Sequence, residues 1–212
     1  MPVILTFGDS NTHGSVPMTT AEDRRRFGHD IRWPGVMAAA LGPGWTLIEE
    51  GLPGRTTCRD DPVMGAHMNG QTGLRIALAS HAPVDVLTIM LGTNDLKTRF
   101  APTAQRITAG VAGLLDIAGS AEVAARHPGL RLLLICPPPV VETGPIRDEF
   151  LGAEAVGPDL PRSLSALAQA RGVAFLDAGA TIAVSPVDGV HFDQDAHATL
   201  GRDVAAAIDR LV

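Results

Sequence analysis

Apolar residues along the chain fall into short continuous runs separated by stretches with helical spacing. Val3 to Phe7 is a near-continuous apolar run that stops at Gly8-Asp9-Ser10, the pattern of a buried parallel strand closed by a turn. Similar runs recur at Trp45 to Ile48, Val84 to Leu91, Leu130 to Ile135 and Val173 to Leu176. Of these, Val84 to Leu91 is the clearest, β-branched and apolar until Gly92-Thr93-Asn94-Asp95 ends it. Pro34 opens a helix in which Val36, Met37, Ala40 and Leu41 share a face before Gly42-Pro43-Gly44. Further helices are predicted near 72–82, over 103–126 with Gly110, Gly113 and Gly119 as points of bending or division, near 162–171 and over 195–211.

Strands that alternate with helices at short spacing predict an α/β fold in three layers, α/β/α, with a parallel sheet covered on both faces. Five strands in a single domain, 1–212, predict the doubly wound, flavodoxin-like order 2-1-3-4-5. Two stretches lack periodicity. Residues 15 to 30 are polar and read as a surface loop. Residues 137 to 161 are rich in Pro, Gly and Glu around Phe150-Leu151, a connection long enough to predict a pocket wall or a subunit contact.

Composition narrows the class. Hydrophobic residues make up 45% and charged residues 19%, and no apolar run approaches the roughly 18 residues of a membrane span, so a soluble chain with no membrane partner is expected. The net charge of −6, with Arg24-Arg25-Arg26 as the single basic run, argues against a nucleic-acid partner; that run reads as a solvated loop. The first strand begins at Val3 with no leader pattern, so a cytoplasmic location is expected. Cys58 and Cys136 show no zinc or redox spacing and read as reduced thiols. His13, His29, His67, His81, His127 and His197 form no H-E-x-x-H set, so neither metal nor cofactor is expected.

The chemistry gathers at four strand ends: Ser10, Gly54, Asn94 and the loop with Asp188 and His191. A serine hydroxyl needs a base, histidine is the usual one near neutral pH, and a carboxylate fixes its tautomer. Ser10 as nucleophile, His191 as base and Asp188 as its partner supply those parts. The Ser10 N–H, the Gly54 N–H and the Asn94 amide are the candidate donors to a developing oxyanion. Asn11 and His13, just after the nucleophile, and Pro53, beside a donor, are expected to bind substrate. Taken singly, Gly54 also fits a turn, Asn94 a helix cap, and His191 a packed histidine satisfied by Asp188. Asp9 and Asp95 read as structural braces. The chain lacks both the G-x-S-x-G elbow and the phosphate loops of nucleotide-binding folds.

In order and wording, Gly8-Asp9-Ser10, the Gly54 block, Gly92-Thr93-Asn94-Asp95 and Asp188-Gly189-Val190-His191 resemble the four blocks of the SGNH (GDSL) hydrolases, over residues 3 to 192. The resemblance implies a serine esterase with its nucleophile at Ser10, oxyanion donors at Gly54 and Asn94, and the Asp/His pair at Asp188 and His191. The segment from Glu49 to Thr57, with Asp60-Asp61-Pro62 and Ile89 to Asp95, is similar more narrowly to the bacterial arylesterase and acyltransferase/perhydrolase branch. That likeness implies a small ester as substrate, acyl transfer to alcohols or peroxide as an alternative outcome, and a homo-oligomer. Some members carry aromatic residues where this chain has Thr12-His13-Gly14-Ser15, a departure in the pocket that favours alcohols.

Overall fold

The structure, a computed structural model describing residues 1–212, contains strands β1 (Val3–Gly8), β2 (Thr46–Gly51), β3 (Val86–Met90), β4 (Arg131–Cys136) and β5 (Ala174–Asp177). Its helices are α1 (Ser10–His13), α2 (Trp33–Leu41), α3 (Gly70–Ser80), α4 (Ala104–Ala118), α5 (Ala121–Arg126), α6 (Ala153–Val156), α7 (Leu160–Arg171) and α8 (Gln194–Asp209). All strand pairs are parallel and the order is β2-β1-β3-β4-β5, as the alternation of runs predicts. No helix is long and apolar enough to cross a membrane.

Strand side chains alternate between faces, and the two cores follow that alternation. Leu5, Phe7, Leu87 and Ile89 pack with Leu74 and Leu78 of α3, Val111 and Leu114 of α4 and Leu164 of α7. Ile4, Val86, Met90 and Leu133 pack on the opposite side with Trp33 and Met37 of α2 and Leu200, Val204 and Ile208 of α8. Because every strand runs the same way, all carboxyl ends open on one edge. The chain reverses its direction of travel across the sheet at β1, and the crevice at that reversal is where open α/β sheets hold ligands.

Three elements differ from their sequence reading. β2 continues through Glu49 and Glu50, which read as a strand end, because the side chains of this edge strand find hydrogen-bonding partners: Glu49 accepts from Arg32 Nη2 at 2.6 Å, and Glu50 lies 2.9 Å from His81 Nε2. The predicted 103–126 helix is two helices, α4 and α5, divided at Gly119, where Ser120 caps α5 by accepting from the Val123 amide. The 137–161 connection carries a 3-10 turn at Arg147–Glu149 and the short α6, and Phe150 anchors it in the first core.

Candidate active site

Ser10 stands directly beyond β1 as the first residue of α1. Gly8 lets the helix fold back tightly: a Cβ there would lie 2.0 Å from Thr12 Oγ1 and 2.9 Å from the Met90 carbonyl oxygen. Asp9 caps the turn by accepting the Asn11 amide at 3.0 Å, and Gly14, at φ 87°, ends it. Ser10 is buried, and its Oγ lies 3.1 Å from His191 Nε2. His191 Nδ1 lies 2.6 Å from Asp188 Oδ2.

Asp188 is held by four N–H groups. Oδ1 accepts the amides of Val190 (3.0 Å) and His191 (2.9 Å), and Oδ2 accepts the Met18 amide (2.7 Å) together with the imidazole. Burial alone would raise this carboxyl, but the hydrogen bond from His191, with those from the backbone amides, holds it below the usual carboxylate range. An ionised Asp188 accepts only, so Nδ1 carries the imidazole proton and the Nε2 lone pair faces Ser10.

Gly54 and Asn94 come from the ends of β2 and β3. Gly54 has φ +91°, and a Cβ would fall 2.4 Å from Met64 Cε; a side chain is disfavoured there both by the backbone and by the space. Asn94 Nδ2 donates to the Arg55 carbonyl at 3.1 Å and reaches Asp9 Oδ2 at a long 3.4 Å. One N–H is therefore fully engaged, and the other is held weakly enough to turn to a stronger acceptor. Burial pushes Asp9 up to about 6 against the opposing pull of the Asn11 amide, His191 and Arg55. Asp95 is likewise pushed to about 6 by burial, and it accepts from the Thr57 amide (2.8 Å) and Thr57 Oγ1 (2.6 Å). Both aspartates brace the strand ends, as read from the sequence.

A cavity of about 700 Å³ opens over Ser10, within the usual range for small-molecule sites. Ser10, His13, Pro53, Gly54, Asn94 and His191 line it; Val16, Met18, Arg24 and Arg25 form one wall, and Ile146, Glu149 and Phe150 another. The 137–161 connection is therefore a pocket wall. Asn11 is a correction: it is buried and does not line the cavity, because its Nδ2 donates to the Val190 carbonyl at 3.0 Å and ties the nucleophile turn to the histidine loop. A second correction concerns Arg24-Arg25-Arg26. They are exposed, but Arg24 and Arg25 face the cavity and Arg26 Nε donates to the His13 carbonyl at 2.7 Å. Burial, then Arg26 and Arg32, lower His13 below its usual value.

Three functional neighbours escape the sequence reading. Arg55 Nη1 donates to the carbonyls of Gly8 (2.9 Å) and Glu50, and its guanidinium lies 4.1 Å over the Phe7 ring; its one signal was a lone cation inside the Gly54 block. Lys97, three residues beyond Asn94, lines the cavity although it is buried, and pairs with Glu149 at 3.2 Å. His197, on α8, is fully buried between Phe27 and Phe192, and its Nδ1 accepts the Trp33 amide. Cys58 and Cys136 are free thiols, and no group of three His, Cys, Asp or Glu side chains is placed to hold a metal ion.

Comparison with known proteins places this geometry. The inhibitor-bound aryl esterase of M. smegmatis is 38% identical, with a TM-score of 0.94 over 100% of both chains. Est24, a carbohydrate acetylesterase from Sinorhizobium meliloti, is 37% identical with a TM-score of 0.92 over 100% of both chains. A carbohydrate acetylesterase family member from Sinorhizobium meliloti is 31% identical with a TM-score of 0.87 over 100% of this chain and 99% of that one. No curated protein matches the chain. Residues 6–199 match the GDSL-like lipase/acylhydrolase family, and the chain belongs to that family of SGNH-type carboxylic ester hydrolases.

Proposed function

We propose that the protein is a serine esterase that hydrolyses small carboxylic esters, with short-acyl, acetyl or aryl groups, through an acyl-Ser10 intermediate. The observation that carries this reading is the unbroken relay from Ser10 Oγ to His191 Nε2 (3.1 Å) and from His191 Nδ1 to Asp188 Oδ2 (2.6 Å) beneath the cavity. Ser10 Oγ attacks the ester carbonyl while His191 Nε2 takes its proton, and Asp188 steadies the imidazolium. Negative charge on the carbonyl oxygen is met by the N–H groups of Ser10 and Gly54 and by Asn94 Nδ2. Collapse breaks the bond to the alcohol oxygen, which leaves with the proton from His191. Water then attacks acyl-Ser10, again losing a proton to His191, and the acid departs with Ser10 restored. The similar aryl esterase and carbohydrate acetylesterases support an acetyl or aryl ester as substrate.

Transfer of the acyl group to an alcohol or peroxide is a second fate of the same intermediate. The charged side chains of Arg24, Arg25, Lys97 and Glu149 on the cavity wall retain water near the acyl group, so hydrolysis is the proposed outcome. Two measurements test the reading. Excess 4-nitrophenyl acetate should be turned over by the native chain and not by Ser10→Ala, and a fluorophosphonate should label Ser10; turnover unchanged in Ser10→Ala overturns it. Product ratios at modest alcohol concentration measure the partition, and transfer in excess of hydrolysis would replace hydrolysis as the main reaction.

A further inference from the structure

The cavity wall opposes the sign of the whole molecule. The chain carries a net charge of −6, yet its cavity is lined by the cations Arg24, Arg25, Lys97 and Arg99 against the carboxylates Asp23 and Glu149. Their pairing leaves a specific remainder. Arg25 is matched to Asp23 at 2.6 Å, and Arg99 to Asp61 at 2.9 Å. Glu149 is shared, 3.2 Å from Lys97 Nζ and 2.9 Å from Arg99 Nη1. Arg24 Nη1 donates only to the carbonyls of Ala21 and Asp23, which neutralise none of its charge.

Arg24 is thus the one cation without a carboxylate, and Lys97, which shares Glu149 with Arg99, is the more telling of the two. Its side chain is 8% exposed, in a site where burial lowers the ammonium below its usual value. An ammonium has three N–H donors. One meets Glu149, a second faces the Met64 thioether at 3.8 Å, and for the third the protein offers no oxygen or nitrogen acceptor, only the Phe150 ring with its centroid 5.8 Å from Nζ. A buried donor of this kind costs free energy unless something accepts from it, and the space beside it is the cavity. The wall on which Arg24 lies reaches the same cavity from the solvent side, where a single uncompensated charge steers oppositely charged molecules inward.

We propose, building on the serine-esterase reading, that the cavity selects esters that carry a carboxylate, with Lys97 Nζ as the group that receives the carboxylate and Arg24 as the rim charge that draws it in. The carboxylate can sit on the acyl side or on the alcohol side of the ester. A charge-assisted hydrogen bond from Lys97 serves both, and the substrate separates them.

The test compares esters matched except for charge. On the acyl side, 4-nitrophenyl hemiglutarate is paired with its neutral methyl ester; on the alcohol side, 4-acetoxybenzoate is paired with methyl 4-acetoxybenzoate. The wild-type kcat/KM should favour the anionic member of at least one pair by about tenfold at low salt, and the pair that shows it tells which side bears the charge. The preference should shrink as sodium chloride screens it. Lys97→Met should bring the ratio of kcat/KM values close to one mainly through KM of the anionic ester, and Lys97→Arg should restore most of it. Arg24→Gln, an exposed change that leaves the core intact, should lower the same ratio at low salt and not at high salt, so the proposal is decided even if Lys97→Met folds poorly. A wild-type ratio at or below one in both pairs, or a preference indifferent to salt and to both substitutions, overturns the proposal while neutral esters are still cleaved. Failure to cleave any of the four esters overturns the esterase reading itself.

Discussion

The Met18 amide donates to Asp188 Oδ2 at 2.7 Å, the same carboxylate oxygen that accepts the Nδ1–H of His191. The loop that walls the cavity is thus also the outer support of the relay. In Asp188→Asn, the amide NH2 must face either the Val190 and His191 amides or the Met18 N–H together with the imidazole, and meeting the imidazole with a donor forces the tautomer that leaves Nε2 protonated and unable to act as base. The expected result is a fall in kcat of about 10⁴ with native-like far-ultraviolet circular dichroism. A loss smaller than about tenfold would mean that Asp188 does not orient the base.

Asn94 should behave as a group used when charge develops. Its amide already spends one N–H on the Arg55 carbonyl, and its contact with Asp9 is long. Removal in Asn94→Ala is expected to lower kcat by about 10²–10³ with KM little changed. Steady-state kinetics on a neutral aryl acetate provide the check, and a change confined to KM would assign Asn94 to binding instead.

Asn11 should behave as a structural tie between the nucleophile turn and the histidine loop. Its Nδ2 bond to the Val190 carbonyl is buried, so Asn11→Ala leaves that oxygen without a partner. The unfolding free energy from urea titration should fall by about 1–3 kcal/mol, and kcat should fall with it as the His191 loop loosens. An increase in KM at unchanged stability would return Asn11 to the substrate.

Much of this architecture is legible in the sequence because it depends on local rules. The apolar run before Gly8 requires a buried strand, and the small and polar residues that end β1, β2 and β3 mark one sheet edge. What escaped the reading rests on contacts without a local signature. The Met18 bond to Asp188 uses a backbone amide that any residue but proline would supply. Asn11 has the composition of a pocket residue, and only the tertiary fold turns its amide toward Val190. Lys97 and Arg55 carry no local mark of their burial, because burial of a charge depends on partners, Glu149 and the Gly8 carbonyl, distant in sequence. Glu49 and Glu50 read as a strand end for the same reason in reverse.

His197 gives a pH dependence of stability whose sign can be worked out. Burial, helped by His191, pushes it down from 6.5 to about 4. Between those values the unfolded chain binds a proton that the folded chain refuses, so this contribution is complete above pH 6.5 and is lost as the pH falls toward 4. Asp9 and Asp95 act in the opposite sense. Burial raises both from 3.8 to about 6, so their contribution is fullest below 3.8 and fades as the pH rises through about 6. His197→Gln removes only the first effect. Relative to wild type, the variant should therefore gain about 2–3 kcal/mol on going from neutral pH to about pH 4.5, as read by urea unfolding at each pH. No relative gain would mean that His197 is protonated in the folded chain.

Ser10 and His191 meet across 181 positions of sequence, and Asn11 and Val190 across 179. Ester cleavage therefore reports completion of the chain. A fragment 1–187 holds the nucleophile and every oxyanion donor yet has no base, and the remainder holds the base with nothing to activate. A cut in that loop separates the nucleophile from its base, so neither part alone carries a complete relay.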